Sequence, residues 1–180
     1  MSPNPIDTRG RVMTLAEFTS PALIIPQLRS HDVPSVIQEL SQAMQREKRV
    51  PDLLPFYEAV LNREFLVSTD MEARMAFPHA RMPGLQELSF ALGRSRESLR
   101  WGARSANRVR FVFLLAVPAT DATQYLLLIS GVGRLAKDER LMERLLGAPD
   151  ALQMLEVLQQ ITLRTNAGVQ APKKSTGISR

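Results

Sequence analysis

One histidine in this chain sits where its neighbours could support chemistry. His79 follows the apolar run Met75-Ala76-Phe77 and Pro78, and precedes Ala80-Arg81-Met82-Pro83-Gly84. The run reads as a short buried strand, so His79 falls where a strand ends and a Pro-Gly turn approaches. Binding groups often occupy such places, on loops held by a rigid scaffold. A neutral imidazole can attack phosphorus without a separate base. Phosphoryl transfer then asks mainly for positioning, and for cations or N–H donors around the three equatorial oxygens. Arg63, Arg81 and the pair Ser68-Thr69 are of the right types to serve. The plainer alternative is a histidine satisfied within its apolar surroundings, and the local residues leave both open.

Other chemistries have less support. There are two histidines, His31 and His79, and no cysteine, so a zinc site is not expected, and neither a disulfide nor a thiolate nucleophile is available. There is no glycine-rich phosphate loop and no Gly-x-Ser-x-Gly elbow. The sequence suggests neither metal nor cofactor. His31, just before a helix cap, reads as structural or solvent-exposed.

The elements that must position His79 can be read in order. Thr14 and Glu17 form a capping-box pattern for a short helix. Ala22 to Ile25 reads as a strand. Asp32 caps an amphipathic helix carrying Val36, Ile37, Leu40 and Met44, and Asp52 caps another carrying Phe56, Tyr57 and Val60. Strand candidates follow at 65–67, 75–77 and 88–92. Residues 95–107 read as a basic, loop-like connection holding Trp101, the only tryptophan. Val109 to Val117 is nearly all apolar, as in a central strand buried on both faces. Asp121, Asp138 and Asp150 cap three further helices. Two helices, a group of strands and three helices predict a single α/β layered domain. Residues 1–12 read as a flexible lead, 13–164 as the domain, and 165–180 as a disordered basic tail.

Of the 180 residues, 44% are hydrophobic, enough for one real core. No apolar run is long enough to span a bilayer, and the first residues lack the apolar region of a secretory signal. A reducing, cytoplasmic setting is expected. The net charge of +5 is concentrated at the ends. Between residues 74 and 110, however, eight arginines face only Glu87 and Glu97. A solvated surface is the plain reading of these arginines, and an anionic or acidic partner is the sharper one. With one tryptophan and no helix-turn-helix pattern, nucleic acid is not expected.

The order of segments resembles the enzyme IIA domain of the fructose/mannitol class of sugar phosphotransferase systems, most of all its nitrogen-regulatory branch. The resemblance runs from about Met13 to Ile161. It is carried by Arg63-Glu64, Ser68-Thr69, Ala76-Phe77-Pro78-His79-Ala80-Arg81, the run Val112 to Pro118, and Leu135-Ala136-Lys137-Asp138. It implies a mixed sheet of roughly five strands between helices. It also implies that His79 accepts a phosphoryl group from the phosphohistidine of an HPr-like carrier, with Arg63 near the phosphoryl group and Ser68 and Thr69 in the site loop. Neither cofactor nor metal is needed for that step, and nitrogen-branch members act mainly by binding regulatory protein targets.

Two departures from the family pattern stand out. Where the family reads Gly-Ser-Thr-Gly-Ile-Gly-Asn-Gly, this chain reads Val67 to Arg74 with no glycine. Where the family has a second histidine before a leucine, this chain has Tyr125 before Leu126. The departures raise an alternative function: an interaction module on the same fold that has lost phosphotransfer. The oligomeric state is not legible in the sequence.

Overall fold

The structure is a computed structural model that describes residues 12–71, 73–102, 107–120 and 122–163. The expected flexible lead (but for Val12), the basic tail, Glu72 and the Asp121 cap lie outside the described residues.

The sheet is built on one strand. β6 (Arg108–Pro118) is buried at every position from Phe111 to Pro118. Side chains alternate across a strand, so Phe111, Phe113, Leu115 and Val117 enter one core layer while Val112, Leu114 and Ala116 enter the other. This explains the almost unbroken apolar run. β6 pairs antiparallel with β5 (Ser89–Arg100), which in turn pairs parallel with the short β1 (Ile24–Ile25). On its other side β6 pairs parallel with both β3 (Met75–Ala76) and β4 (His79–Met82). β2 (Asp70–Met71) closes that edge, antiparallel to β3. The sheet thus has six strands, in keeping with the roughly five expected, and three of them are only two residues long.

Helices cover both faces. α1 (Val33–Arg46) and α2 (Leu53–Leu66) pack on one, around Leu40, Phe56 and Val60. α3 (Ala122–Lys137), α4 (Glu139–Gly147) and α5 (Ala151–Leu158) supply residues to the core on the other, around Phe90, Phe113 and Leu135. Asp32, Asp138 and Asp150 each accept a backbone N–H three residues on, as their capping role requires. Thr14 and Asp52 hold the cap positions without a side-chain cap bond, and Leu15–Phe18 is a 3-10 turn. The two ends of the described chain meet, with Leu15 N donating to Ile161 O and Leu163 N to Met13 O.

Four expectations are corrected. Residues 65–67 are not a strand: Phe65 and Leu66 finish α2, and Val67 N closes its last turn on Arg63 O. Both side chains are exposed, so no sheet face draws them in. Only Ile24 and Ile25 of the 22–25 segment are strand, since Pro21–Leu23 turns first. The basic segment 95–107 is not all loop. β5 runs on to Arg100 through a register shift, with Leu99 opposite Val109 and Arg100 opposite Arg108. Buried Leu99 and Trp101 hold it, which the surrounding charges conceal in the sequence. Finally, His79 does not end a strand but begins one, because Phe77-Pro78 interrupts the edge between β3 and β4. Proline has no N–H for the ladder, and strand breaks at edges are where sheets tolerate it.

Candidate functional site

His79 starts β4 opposite Leu115 of β6. Leu115 belongs to the layer covered by α3 to α5, so the imidazole shares that side. Its ring centre lies 6.1 Å from that of Tyr125 on α3, tilted by 47°. The side chain is half-buried. Its Nδ1 is 2.9 Å from the carbonyl oxygen of Phe77. A carbonyl only accepts, so Nδ1 carries the proton and donates it. In the neutral ring the lone pair then lies on Nε2, and no described residue hydrogen-bonds to that nitrogen. β3 and β4 keep one register against β6 across Phe77-Pro78, so His79 follows in line and its ring reaches the carbonyl two residues before it.

Behind Phe77 lies a second layer of contacts. Phe77 N donates to Thr69 Oγ1 at 3.1 Å and to Thr69 O at 3.3 Å. Thr69 in turn donates from its backbone N and its hydroxyl to the two oxygens of Glu64, each at 2.7 Å. Glu64, only 5% exposed, also accepts from Trp101 Nε1 at 2.8 Å. Three donors around one carboxylate make its burial tolerable. Sequence reasoning marked Glu64 as part of a motif and Trp101 as unique, but assigned neither to the site. A signal existed for Glu64: Phe56, Val60 and Glu64 recur every fourth residue, which puts the acid on the buried stripe of α2.

The other candidates divide. Thr69 is tied to His79 through Phe77, and Tyr125 stands beside the ring. Arg63 Nη1 donates to Val67 O at 2.9 Å, so in this state it caps the end of α2. Ser68 Oγ donates in a short bond to Asp70, whose other oxygen accepts from Asn107 Nδ2 at 2.9 Å. Arg81 is exposed two residues along β4, on the same side of the strand as His79. Among the described residues no hydrogen bond joins Arg63, Ser68 or Arg81 to His79. No group of three or more His, Cys, Asp or Glu among the described residues could hold a metal.

The loop without glycines keeps one glycine-like feature. Arg74 stands at φ 60°, in the left-handed region. Its carbonyl accepts from the backbone N of both Arg110 and Phe111, which anchors the turn into β3 to the central strand.

The arginine-rich stretch is not one surface. Arg94 Nε donates to Pro26 O, and Nη1 reaches the carbonyls of Leu145, Leu146 and Ala148 at the end of α4. Burial, and secondarily the charge of Arg110, lower its pKa from the usual arginine value. Arg110 Nε is held by Ser95 O. Arg94 and Arg110 are therefore not the partner-facing charges that their number suggested, whereas Arg81, Arg96, Arg100 and Arg108 are exposed. A cleft lined by Gln27, Leu28, Arg29, exposed His31, Arg96 and Glu97 lies at the β1–β5 edge, on the far side of β6 from His79.

Residues 17–161 match the family model described as phosphoenolpyruvate-dependent sugar phosphotransferase system, EIIA 2. A nitrogen regulatory protein of Bradyrhizobium diazoefficiens is 25% identical over 146 residues, covering 81% of this chain and 95% of that protein. The fructose-specific EIIABC component of Bacillus subtilis is 24% identical over 148 residues, 82% of this chain but 23% of that longer protein. In structure, nitrogen regulatory protein IIA-Ntr from Neisseria meningitidis superposes with a TM-score of 0.67 at 23% identity, over 80% of this chain and 98% of that one, which shows a common fold. No helix among the described residues is long and apolar enough to cross a membrane. The family model spans the sheet, all five helices, and the His79 segment, so this chain belongs to the EIIA 2 family of the phosphoenolpyruvate-dependent sugar phosphotransferase system.

Proposed function

We propose that this protein accepts a phosphoryl group on His79 from the phosphohistidine of an HPr-like carrier and signals through regulatory protein partners. The observation that carries the proposal is the pinned imidazole, with Nδ1–H on the Phe77 carbonyl, which in the neutral ring leaves the lone pair on Nε2. In the transfer, Nε2 attacks the carrier's phosphorus. The carrier's P–N bond breaks, and its imidazole leaves with the electron pair of that bond. A new bond joins Nε2 to phosphorus. The Nδ1 proton stays, and its hydrogen bond to Phe77 O stabilises the positive charge that the ring acquires. Arg63 and Arg81 are the cations at hand for the phosphoryl oxygens, once Arg63 exchanges Val67 O for the anion. Ser68 and Thr69 line the loop, and Tyr125 has a hydroxyl to donate where the family has imidazole.

The test is a reconstituted phosphorelay with phosphoenolpyruvate, the first enzyme of the system and a phosphorylated HPr-like carrier. Intact mass should rise by one phosphoryl group in the wild type and not in His79→Ala. A complete relay that leaves His79 unmodified would overturn the reading. It would favour the alternative of an interaction module, to which the bonded, glycine-free loop at Ser68 and Asp70 lends support. In that case His79→Ala leaves partner binding unchanged.

A further inference from the structure

We propose that Glu64 is a positioning residue for His79, and that through it Trp101, just beyond β5, sets how the acceptor imidazole is held. The effect on transfer rests on the function proposed above; the effect on the imidazole does not.

The path from Trp101 to His79 consists of hydrogen bonds with only single residues between them. Trp101 Nε1–H donates to Glu64 Oε1, which also accepts Thr69 N–H. Glu64 Oε2 accepts the Thr69 hydroxyl proton. Having given up that proton, Thr69 Oγ1 is directed to accept from Phe77 N–H, and Phe77 O accepts from His79 Nδ1–H. A hydroxyl that donates to a carboxylate is a better acceptor in turn, so each bond strengthens the next. If the Glu64 carboxylate is lost, Thr69 can turn its hydroxyl elsewhere, Phe77 loses one of its two acceptors, and the carbonyl that fixes His79 is free to rotate.

Two described residues beside β5 and β6 hold this loop. Trp101, just beyond β5, donates to Glu64, and Asn107, just before β6, donates to Asp70 beside Thr69. The segment from Val67 to Arg74 lacks glycine, and its Thr69 and Asp70 are held by side-chain bonds to Glu64 and Asn107. A purely structural role, in which Glu64 merely satisfies Trp101 in the core, predicts lost stability and an unchanged imidazole.

Three variants separate these roles: Glu64→Ala, Glu64→Gln and Trp101→Phe. Glutamine keeps an oxygen for Thr69 N and Trp101 but cannot accept the hydroxyl proton at its nitrogen. It is the variant to rely on if Glu64→Ala fails to fold. The first measurement needs no carrier: nitrogen-15 shifts of the His79 ring. The wild type should show the Nδ1–H tautomer at neutral pH, and Glu64→Gln should show a mixture with Nε2–H. An unchanged tautomer in folded Glu64→Gln overturns the proposal, whether or not His79 accepts phosphate. The second measurement is transfer from the phosphorylated carrier. Glu64→Gln should slow kcat about tenfold or more with KM for the carrier little changed, as expected for a misplaced acceptor, and Trp101→Phe should fall between it and the wild type. The third uses Trp101 itself, the sole tryptophan. Its emission should shift on phosphorylation of the wild type and not of Glu64→Gln; an equal shift in both would count against the proposal. A wild type that shows the Nδ1–H tautomer but takes no phosphate defeats the transfer reading alone.

Discussion

Nη1 of Arg94 lies 2.7 Å from the carbonyl oxygen of Ala148, and it also reaches Leu145 and Leu146 at 3.0 and 2.8 Å. One side chain from β5 thus closes the end of α4, where the last helical carbonyls lack partners of their own. Its positive charge also suits the negative end of the helix dipole. Arg94→Ala should destabilise the fold by about 3 kcal/mol, since it strips a charged donor from several carbonyls at once. Arg94→Lys should recover only part of this, because one ammonium cannot span Pro26 and α4 together. Urea unfolding of the three proteins measures the order; equal midpoints would show that water replaces the guanidinium.

Arg74 occupies a left-handed conformation that favours glycine. Arg74→Gly should therefore stabilise the protein by about 1 kcal/mol, the relief of left-handed strain exceeding the added freedom of the unfolded chain. The same midpoint measurement applies, with a rise expected instead of a fall.

Two glycines of α3 should respond in opposite directions. A Cβ at Gly131 would lie 2.5 Å from Leu163 and 2.8 Å from Leu15, both fully buried. At Gly133 a Cβ meets nothing within 4 Å. Gly131→Ala should cost about 1–3 kcal/mol through overpacking. Gly133→Ala should add up to about 1 kcal/mol of helix stability. Thermal melts of the pair decide, and matching shifts would mean that α3 docks differently.

Asp32 accepts from both the backbone N and the hydroxyl of Ser35, and these bonds lower its pKa from 3.8. A carboxyl with a depressed folded pKa contributes stability above its unfolded value and loses it as pH falls through the folded one. Asp32→Ala should cost about 1 kcal/mol at neutral pH. The gap from wild type should close below about pH 3.8. A gap that stays constant well below that pH would show that charge plays no part in the cap.

Arg63 offers a way to separate scaffold from chemistry. Its one described side-chain bond, to Val67 O, is exposed. Arg63→Ala should change stability by no more than about 1 kcal/mol, yet lower phosphoryl acceptance at His79 at least about tenfold if the guanidinium moves onto the phosphoryl group. Wild-type transfer in this variant would remove Arg63 from the site.

Much of this molecule could be read directly from its residues. The period of α1, the three aspartate caps and the two-sided apolar run of β6 are local patterns, and local patterns survive into the fold because they fix the backbone and its buried face together. The motif around His79 was legible for the same reason: it is contiguous. Tertiary contact decided the rest. Phe65 and Leu66 look like strand residues, but the helix from Leu53 reaches them first and no sheet edge stands beside them. The segment 95–100 looks like a loop, because its arginines and glutamate hide the fact that Leu99 and Trp101 turn inward. The sequence brought His79, Arg63, Ser68 and Thr69 into one hypothesis. Only the folded chain shows that Thr69 hangs on Glu64, that Glu64 is shared with Trp101, and that Arg94 serves a helix end instead of a surface. A hydrogen bond across 37 residues, such as that from Trp101 to Glu64, is not written in periodicity: the stripe of α2 marks Glu64 as buried but does not name the residue it meets. It exists only once the sheet and α2 have brought the two ends together.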